Sequence, residues 1–362
     1  MNEKGTAMLN PISKEFPMAQ AKKVTEDLFK PNHWIYWIDF LFFDLLGWAS
    51  FVCAVTAPDF SFRQIAAFVV AGFSLYRAVI FVHELTHLKK GTFQTFHIVW
   101  NLLCGFPLMV PSMLYMGVHI DHHKQKFYGT KNDKEYFYFA REKPYRIPLF
   151  LFTMVLAPGI FLLRFLVLTP LSYVIQPMRK PLWEMASSLV VSAHYKRRMP
   201  TREERRVWLF QEFMTFAYSL AGMTLMVFGI WPWKALVLWY LAAVFILFTN
   251  GLRTLAAHCY RNPPDHEMAF SEQFLDSVDV PGHFFLTPLW GPVGLRYHAT
   301  HHLFPGMPYH SLGEAHRRLM KELPPGNPYP RVMRSSLWGA LTQLWKEAAD
   351  FQRKSARTAA DR

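Results

Sequence analysis

Residues 65–87, IAAFVVAGFSLYRAVIFVHELTH, join an apolar stretch to a histidine motif without a break. The apolar part, Ile65–Val82, is close to the ~20 residues that a helix needs to cross a bilayer core. The motif that follows is His83-Glu84-Leu85-Thr86-His87. Histidines four residues apart lie on the same face of a helix. The stretch therefore predicts a membrane helix that leaves the lipid with two imidazoles on one face.

Two further clusters, His119-Ile120-Asp121-His122-His123 and His298-Ala299-Thr300-His301-His302, share the pattern H-x-x-H-H. Each cluster directs two or three imidazoles to one point, and neutral imidazole is the commonest ligand for zinc, iron, copper and nickel. The eight clustered histidines exceed what one tetrahedral ion can bind, so we expect at least two metal ions. Seven isolated histidines are interpreted as ordinary core or surface residues: His33, His97, His194, His266, His283, His310 and His316.

The composition favours an all-α integral membrane protein. Hydrophobic residues make up 52% of the 362 residues and aromatic residues 17%, which is well above the usage of soluble proteins. Four apolar segments of spanning length form two pairs with short connections, which predicts two transmembrane hairpins. Trp34, Trp231 and Trp233 lie at segment ends, as expected for interfacial anchors. The predicted spans are Trp34–Ala57, Ile65–Val82, Val207–Ile230 and Ala235–Ala257.

Two other apolar regions are interrupted. Residues 92–118 contain Gly105, Pro107 and Pro111 and are predicted to dip into the membrane interface. Residues 147–176 are broken by the Pro158-Gly159 pair, Arg164 and Pro170, so we expect a re-entrant or interfacial pair of helices. A full crossing there would place the third histidine cluster on the opposite side of the membrane from the first two.

The distribution of cations predicts the orientation. The connections inside the hairpins carry one cation each, whereas most others lie on the histidine side, including Lys89, Lys90, Lys124, Lys126, Arg197, Arg198, Arg202, Arg205 and Arg206. The positive-inside rule therefore places both termini and the histidines in the cytoplasm. The formal net charge of +13 is explained by this topology and by contact with anionic lipid, so no nucleic-acid partner is expected. The N-terminus lacks the apolar core of a signal peptide, and Cys53, Cys104 and Cys259 are expected to be reduced thiols.

Several metal chemistries fit parts of this pattern. Residues 83–87 read H-E-x-x-H, the signature of zinc proteases with Glu84 as general base, but such a site has no use for six further histidines. Glu84 could instead orient a ligand imidazole. A carboxylate-bridged di-iron bundle needs two Glu-x-x-His motifs, and only Glu84-x-x-His87 is present. The remaining interpretation is an iron site built mainly of histidine, which activates dioxygen for reaction with a lipid substrate. Glycine patterns for flavin, nicotinamide or nucleotide binding are absent from the sequence.

The order H-x-x-x-H, H-x-x-H-H, H-x-x-H-H, with the third box beyond a second hairpin, resembles the membrane-bound fatty acid desaturase family over about residues 34–330. The run His301-His302-Leu303-Phe304-Pro305, continuing to His310, is similar to the family's third box. The resemblance implies two transmembrane hairpins with a cytosolic helical cap, a di-iron centre, dioxygen as co-substrate and desaturation of an acyl chain. Its implied iron ligands are His83, His87, His119, His122, His123, His298, His301 and His302.

The resemblance also suggests a ninth ligand. Some members place a histidine in an Ala-Ala-His context after the last membrane helix, where this chain has Ala256-Ala257-His258. The alternative is a polar residue that caps the helix end. Members with an Asn one turn earlier differ here, because this chain has Thr254.

The three-residue spacing of the first box is more like acyl-lipid and sphingolipid desaturases and their carotenoid hydroxylase and ketolase relatives. Hydroxylation or ketolation is therefore the alternative to forming a double bond, and a zinc protease is the remoter one. A fused cytochrome b domain with His-Pro-Gly-Gly is absent from the sequence, so the resemblance implies a separate ferredoxin or cytochrome b donor. The predicted divisions are a polar cytoplasmic segment 1–33, a desaturase-like domain 34–330 and a polar tail 331–362.

Overall fold

The computed structural model describes residues 16–89, 91–189 and 196–360. Within these ranges the chain is helical apart from loops and three isolated β-bridges, so the predicted all-α membrane fold is confirmed. Short π- and 3₁₀-helical turns interrupt the α-helices. The α-helices are α1 Met18–Thr25, α2 His33–Thr56, α3 Phe62–His87, α4 Gln94–Trp100, α5 Val118–His122, α6 Arg146–Leu162, α7 Thr169–Val174, α8 Arg179–Met185, α9 Arg202–Val227, α10 Lys234–Leu255, α11 Phe270–Asp276, α12 Thr287–Trp290, α13 His298–Leu303, α14 Tyr309–Glu322 and α15 Leu337–Ala360.

The chain divides into two compact units. The membrane unit comprises His33–His119 and Leu151–Asn250, and the polar unit comprises the chain up to Asn32, Ile120–Phe150 and the chain from Gly251 onward. Large apolar side chains remain exposed along the helices of the membrane unit, as Ile38 (65%) and Leu45 (62%) do on α2. Such exposure fits contact with lipid.

Four helical stretches among the described residues are long and apolar enough to cross a bilayer: His33–Thr56, Phe62–His87, Arg146–Val174 and Lys234–Leu255. Three of them match predicted spans. The predicted span Val207–Ile230 forms most of α9, but α9 is not among the four, because polar and charged residues in its first half, among them Gln211 and Glu212, make it less apolar.

Residues 146–174 form one continuous helical run, so the predicted pair of separate helices is wrong. Pro158 lies inside α6, and Pro170 lies in the first turn of α7, just after a π-helical turn over residues 163–168. A proline at the start of a helix loses no intrahelical hydrogen bond. The change from π- to α-helical bonding therefore accommodates Pro170 without ending the run.

The two hairpins of the membrane unit share one end. The Lys234 ammonium at the start of α10 lies 2.8 Å from Asp59 and 2.7 Å from the Ala57 carbonyl oxygen, both in the α2–α3 turn. Halfway along, the rings of Phe73 and Phe245 lie 4.9 Å apart. Because both their starts and their middles are adjacent, α3 and α10 run parallel.

The polar unit has its own core, formed where α13 and α14 pack together with Tyr329. Ala21 of α1 is fully buried in this core, and Arg318 of α14 pairs with Asp27 at 2.6 Å. The C-terminal helix α15 buries Ala348. Described parts of the predicted lead and tail segments therefore pack into the polar unit.

Candidate metal centre

A cluster of four buried imidazoles lies wholly within the polar unit. One ligand nitrogen of each ring lies within 4.8 Å of those of the others. The Nε2 atom of His298 lies 3.0 Å from Nε2 of His258 and 3.1 Å from Nε2 of His302. The fourth ring, His122, has its centroid 5.0 Å from that of His302. Three of the rings belong to the predicted histidine clusters and the family resemblance suggested the fourth, His258; the structure brings all four together: His122, His258, His298 and His302.

His122 is oriented by a carboxylate. Its Nδ1 lies 2.9 Å from Asp133 Oδ2, and the Asp133 side chain is fully buried. Asp133 also accepts hydrogen bonds from the backbone amides of Gly129 and Glu135, which fix the carboxylate in its loop. Burial disfavours a charged His122, but the charges of Asp133 and Glu135 and the hydrogen bond from its ring outweigh burial and raise its pKa. When Nδ1–H donates to Asp133, the lone pair of the neutral ring lies on Nε2.

His258 lies just beyond the end of α10, where its backbone forms a β-bridge with Ser277. The Tyr128 hydroxyl lies 2.8 Å from its Nδ1, so its Nε2 faces the cluster. Burial lowers the pKa of His258 well below its ordinary range, and the charge of His122 adds to this effect. The pKa values of His298 and His302 are also lowered, by burial first and then by neighbouring histidines. These three rings are therefore neutral at physiological pH, which is the metal-binding form.

The helix that carries the third box is held by Asp279. This carboxylate is completely buried and accepts hydrogen bonds from the Thr300 amide at 3.1 Å and the Thr300 hydroxyl at 2.6 Å. His316 and Tyr329 complete the network, with Tyr329 Oη 2.8 Å from His316 Nδ1. The network fixes α13 and therefore the direction of its histidines.

The other predicted ligands also come together within their own units. In the polar unit, the Nε2 atoms of His123 and His301 lie 3.2 Å apart. In the membrane unit, the ring of His83 lies 4.9 Å from that of His87 and 4.5 Å from that of His119.

Glu84 is part of a buried hydrogen-bond network in the membrane unit. Its carboxylate accepts a hydrogen bond of 2.7 Å from the Tyr36 hydroxyl and lies 3.7 Å from Nδ1 of His83. The 3.7 Å separation is too long for a hydrogen bond to His83, so it is Tyr36 that positions the Glu84 carboxylate.

The four-histidine cluster of the polar unit fits a transition-metal ion. Four nitrogens at roughly 2.1 Å from a tetrahedral ion would lie about 3.4 Å from one another, close to the spacing of the Nε2 atoms of His258, His298 and His302. The neutral rings of His258, His298 and His302 turn their Nε2 atoms toward one another, and a bound cation would accept the lone pairs of these nitrogens. An all-nitrogen donor set suits iron, zinc, copper or nickel rather than magnesium or calcium.

Four of the isolated histidines make ordinary stacking or hydrogen-bonding contacts, as expected for core or surface residues. His33 stacks on Phe93, His97 bonds to Ser112, His310 accepts a hydrogen bond from the Asn32 amide and His316 belongs to the Asp279 network. His194 and Lys90 lie outside the described residues. All three cysteines are free, as predicted.

The sequence analysis missed Tyr128, Asp133 and Asp279. They lie in loops and contact histidines or their helix across the fold. No periodic pattern marks them.

Comparison with known proteins agrees with this architecture of membrane helices and histidine clusters. The family model "Fatty acid desaturase" matches residues 60–333, so the chain belongs to the fatty acid desaturase family, whose members are membrane-bound lipid oxidoreductases. A ceramide hydroxylase of Caulobacter vibrioides is 37% identical over 327 residues, covering 90% of this chain and 92% of the relative. No solved structure matches the chain.

Proposed function

We propose that this protein is a dioxygen-dependent hydroxylase that acts on the long apolar part of a ceramide-like lipid. The observation that carries the proposal is a buried cluster of four imidazoles in a membrane protein of this family. The choice of hydroxylation and of a ceramide-like substrate is supported by the 37% identity to a ceramide hydroxylase along nearly the whole chain. Desaturation of a fatty acyl chain, which the sequence alone predicted, is the second candidate and is favoured by the family description.

Two iron ions are the proposed cofactors. His122, His258, His298 and His302 would hold one ion, and the family resemblance supports His83, His87, His119, His123 and His301 as further proposed iron ligands. Bound iron would supply the activation of dioxygen needed to attack an unactivated carbon–hydrogen bond. The chain's own residues keep the first set buried and fix the ring of His122 through Asp133.

A separate electron donor of the ferredoxin or cytochrome b type is proposed, because oxidation by dioxygen needs two further electrons. We also propose that both termini and the histidines face the cytoplasm. The exposed cations Lys124 and Lys126 beside the second histidine box support this orientation.

Lipid profiling of a host that expresses the chain tests the reaction. We expect a lipid one oxygen atom heavier than its precursor, and we expect it to disappear with His302→Ala. His283→Ala is the matched control, because His283 is exposed and belongs to neither histidine set. A product two hydrogens lighter would favour desaturation, and an unchanged lipid profile would contradict both reactions.

A further inference from the structure

One loop of the polar unit supplies the partners of two proposed ligands. Tyr128 and Asp133 lie five residues apart between α5 and α6. Asp133 contacts Nδ1 of His122, and Tyr128 contacts Nδ1 of His258. Both partners are buried, with Tyr128 fully so. The loop therefore contacts the nitrogens that face away from the cluster.

These contacts determine which ring nitrogen carries the proton. A neutral imidazole has one N–H and one lone pair, and only the lone pair binds a metal. An ionised carboxylate only accepts hydrogen bonds, so beside Asp133 the proton of His122 must sit on Nδ1. Its Nε2 lone pair is then available to an ion before the ion arrives.

Tyr128 can act in the same way on His258. Its hydroxyl oxygen can accept from His258 Nδ1–H at 2.8 Å while its own proton is donated onward to Ser277 Oγ at 3.2 Å. Asp276 Oδ2 at 3.5 Å is a further acceptor on the same side. Ser277 Oγ donates to the Gln273 carbonyl oxygen at 3.0 Å, so it is free to accept from Tyr128.

We infer that Asp133 and Tyr128 are positioning residues that hold His122 and His258 in the Nε2-ligating tautomer and so set the metal affinity of the polar unit. This inference rests on the proposed metal-dependent function. Asp133 has the larger effect, because both of its carboxylate oxygens lie within 3.1 Å of His122 Nδ1. Ser277 Oγ lies 3.4 Å from Nδ1 of His258 and can partly replace Tyr128.

The test is anaerobic titration of the purified, metal-stripped full-length protein with ferrous iron against a competing chelator. Cobalt(II) is the spectroscopic probe, because its visible absorption reports on the number and geometry of its ligands. Removing a partner of this kind costs roughly 10- to 100-fold in metal affinity. We expect a loss in that range for Asp133→Ala at one of the two ions, together with an altered cobalt spectrum.

Three further variants sharpen the comparison. Asp133→Asn keeps an oxygen that accepts from His122 Nδ1–H, so it should retain more affinity than Asp133→Ala. Tyr128→Phe should lose less than Asp133→Ala. Asp265→Asn is the matched control, because Asp265 is an exposed carboxylate of the same unit whose partner is Lys131. It should bind iron like the wild type.

The outcomes separate this inference from the proposed function. If the wild type binds no iron, the function itself fails. If the wild type binds two ions and both Asp133→Asn and Tyr128→Phe match its affinity and cobalt spectrum, the function stands and the inference is wrong. If Asp133→Ala does not fold, these two milder variants decide. A lower melting temperature with unchanged affinity would show a merely structural role and would overturn the inference.

Discussion

A single buried carboxylate, Asp279, holds the helix that carries the third histidine box. Asp279 lies at none of the histidine spacings, yet it connects α13 to α14 and to Tyr329 through side-chain contacts with Thr300 and His316. Its backbone also pairs with Val332 and Arg334. One residue therefore joins the ligand helix to the start of the C-terminal region.

Asp279→Ala should destabilise the protein by about 2–4 kcal/mol. The change leaves the buried Thr300 amide without its acceptor, which costs about 1–3 kcal/mol, and removes one of the two hydrogen bonds of the Thr300 hydroxyl, which keeps Tyr329. Chemical unfolding in detergent measures the loss. Asp350→Ala, which removes an exposed carboxylate paired with Arg353, should change stability by less than about 0.5 kcal/mol. Equal stability of Asp279→Ala and the wild type would contradict this role.

Among the elements, α15 protects the surroundings of His258. Cys259 follows this proposed ligand directly, and its thiol is buried beside Ala340 and Leu344 of α15. An ion pair between Arg261 and Glu347, at 2.5 Å, fastens the middle of the helix. Burial, with the nearby charge of Asp276, raises the pKa of Cys259 to about 12. The intact protein should therefore keep this thiol protonated and unreactive at neutral pH.

Truncation after residue 336 should make Cys259 reactive toward a maleimide. Removing α15 exposes the sulfur to water and reverses the effect of burial on its pKa. Labelling followed by mass spectrometry measures this, in a background where Cys53 and Cys104 are replaced by serine. The full-length chain in the same background is the control. If Cys259 reacts equally in both chains, α15 is not the cover.

At the scale of the whole chain, two hairpins turn at the same end of the membrane unit. The ion pair between Lys234 and Asp59 marks that end. Exposed aromatic side chains surround it, with Phe60 91% and Phe228 75% exposed. Aromatic residues are enriched where a membrane meets water. The hairpin turns are therefore suited to the interface at the end of α3 away from His83 and His87.

The proposed orientation can be tested by comparing how two cysteine variants, Pro58→Cys and Lys354→Cys, react with a maleimide added outside the cell. Pro58 lies in the α2–α3 turn and Lys354 on α15, and both are exposed. With Cys53 replaced by serine, an impermeant maleimide on intact cells should label only the first variant, because the proposed orientation places the turn outside the cell. Permeabilised cells, in which both variants should react, provide the control. Labelling of both variants in intact cells would refute the cytoplasmic placement of the C-terminal region.

The histidine sets were predictable because helical spacing alone brings His83 near His87 and His298 near His302. The family resemblance supplied His258. The partners Tyr128 and Asp133 could not be found this way, since their contacts depend on how loops fold across distances of up to 130 residues in sequence. The helical run of residues 146–174 was misjudged because prolines were counted as breaks, whereas a π-helical turn accommodates one of them.

The unbroken length of α3 ties the first histidine box to the thickness of the bilayer. Its 26 residues extend about 39 Å at 1.5 Å per residue, against a hydrocarbon core of about 30 Å. A rigid rod of this length can respond to a thicker or thinner bilayer only by tilting or by moving along the membrane normal. The acyl-chain length of the surrounding phospholipids should therefore set how far His83 and His87 stand above the hydrocarbon, and thus couple catalytic turnover to the lipid composition of the host.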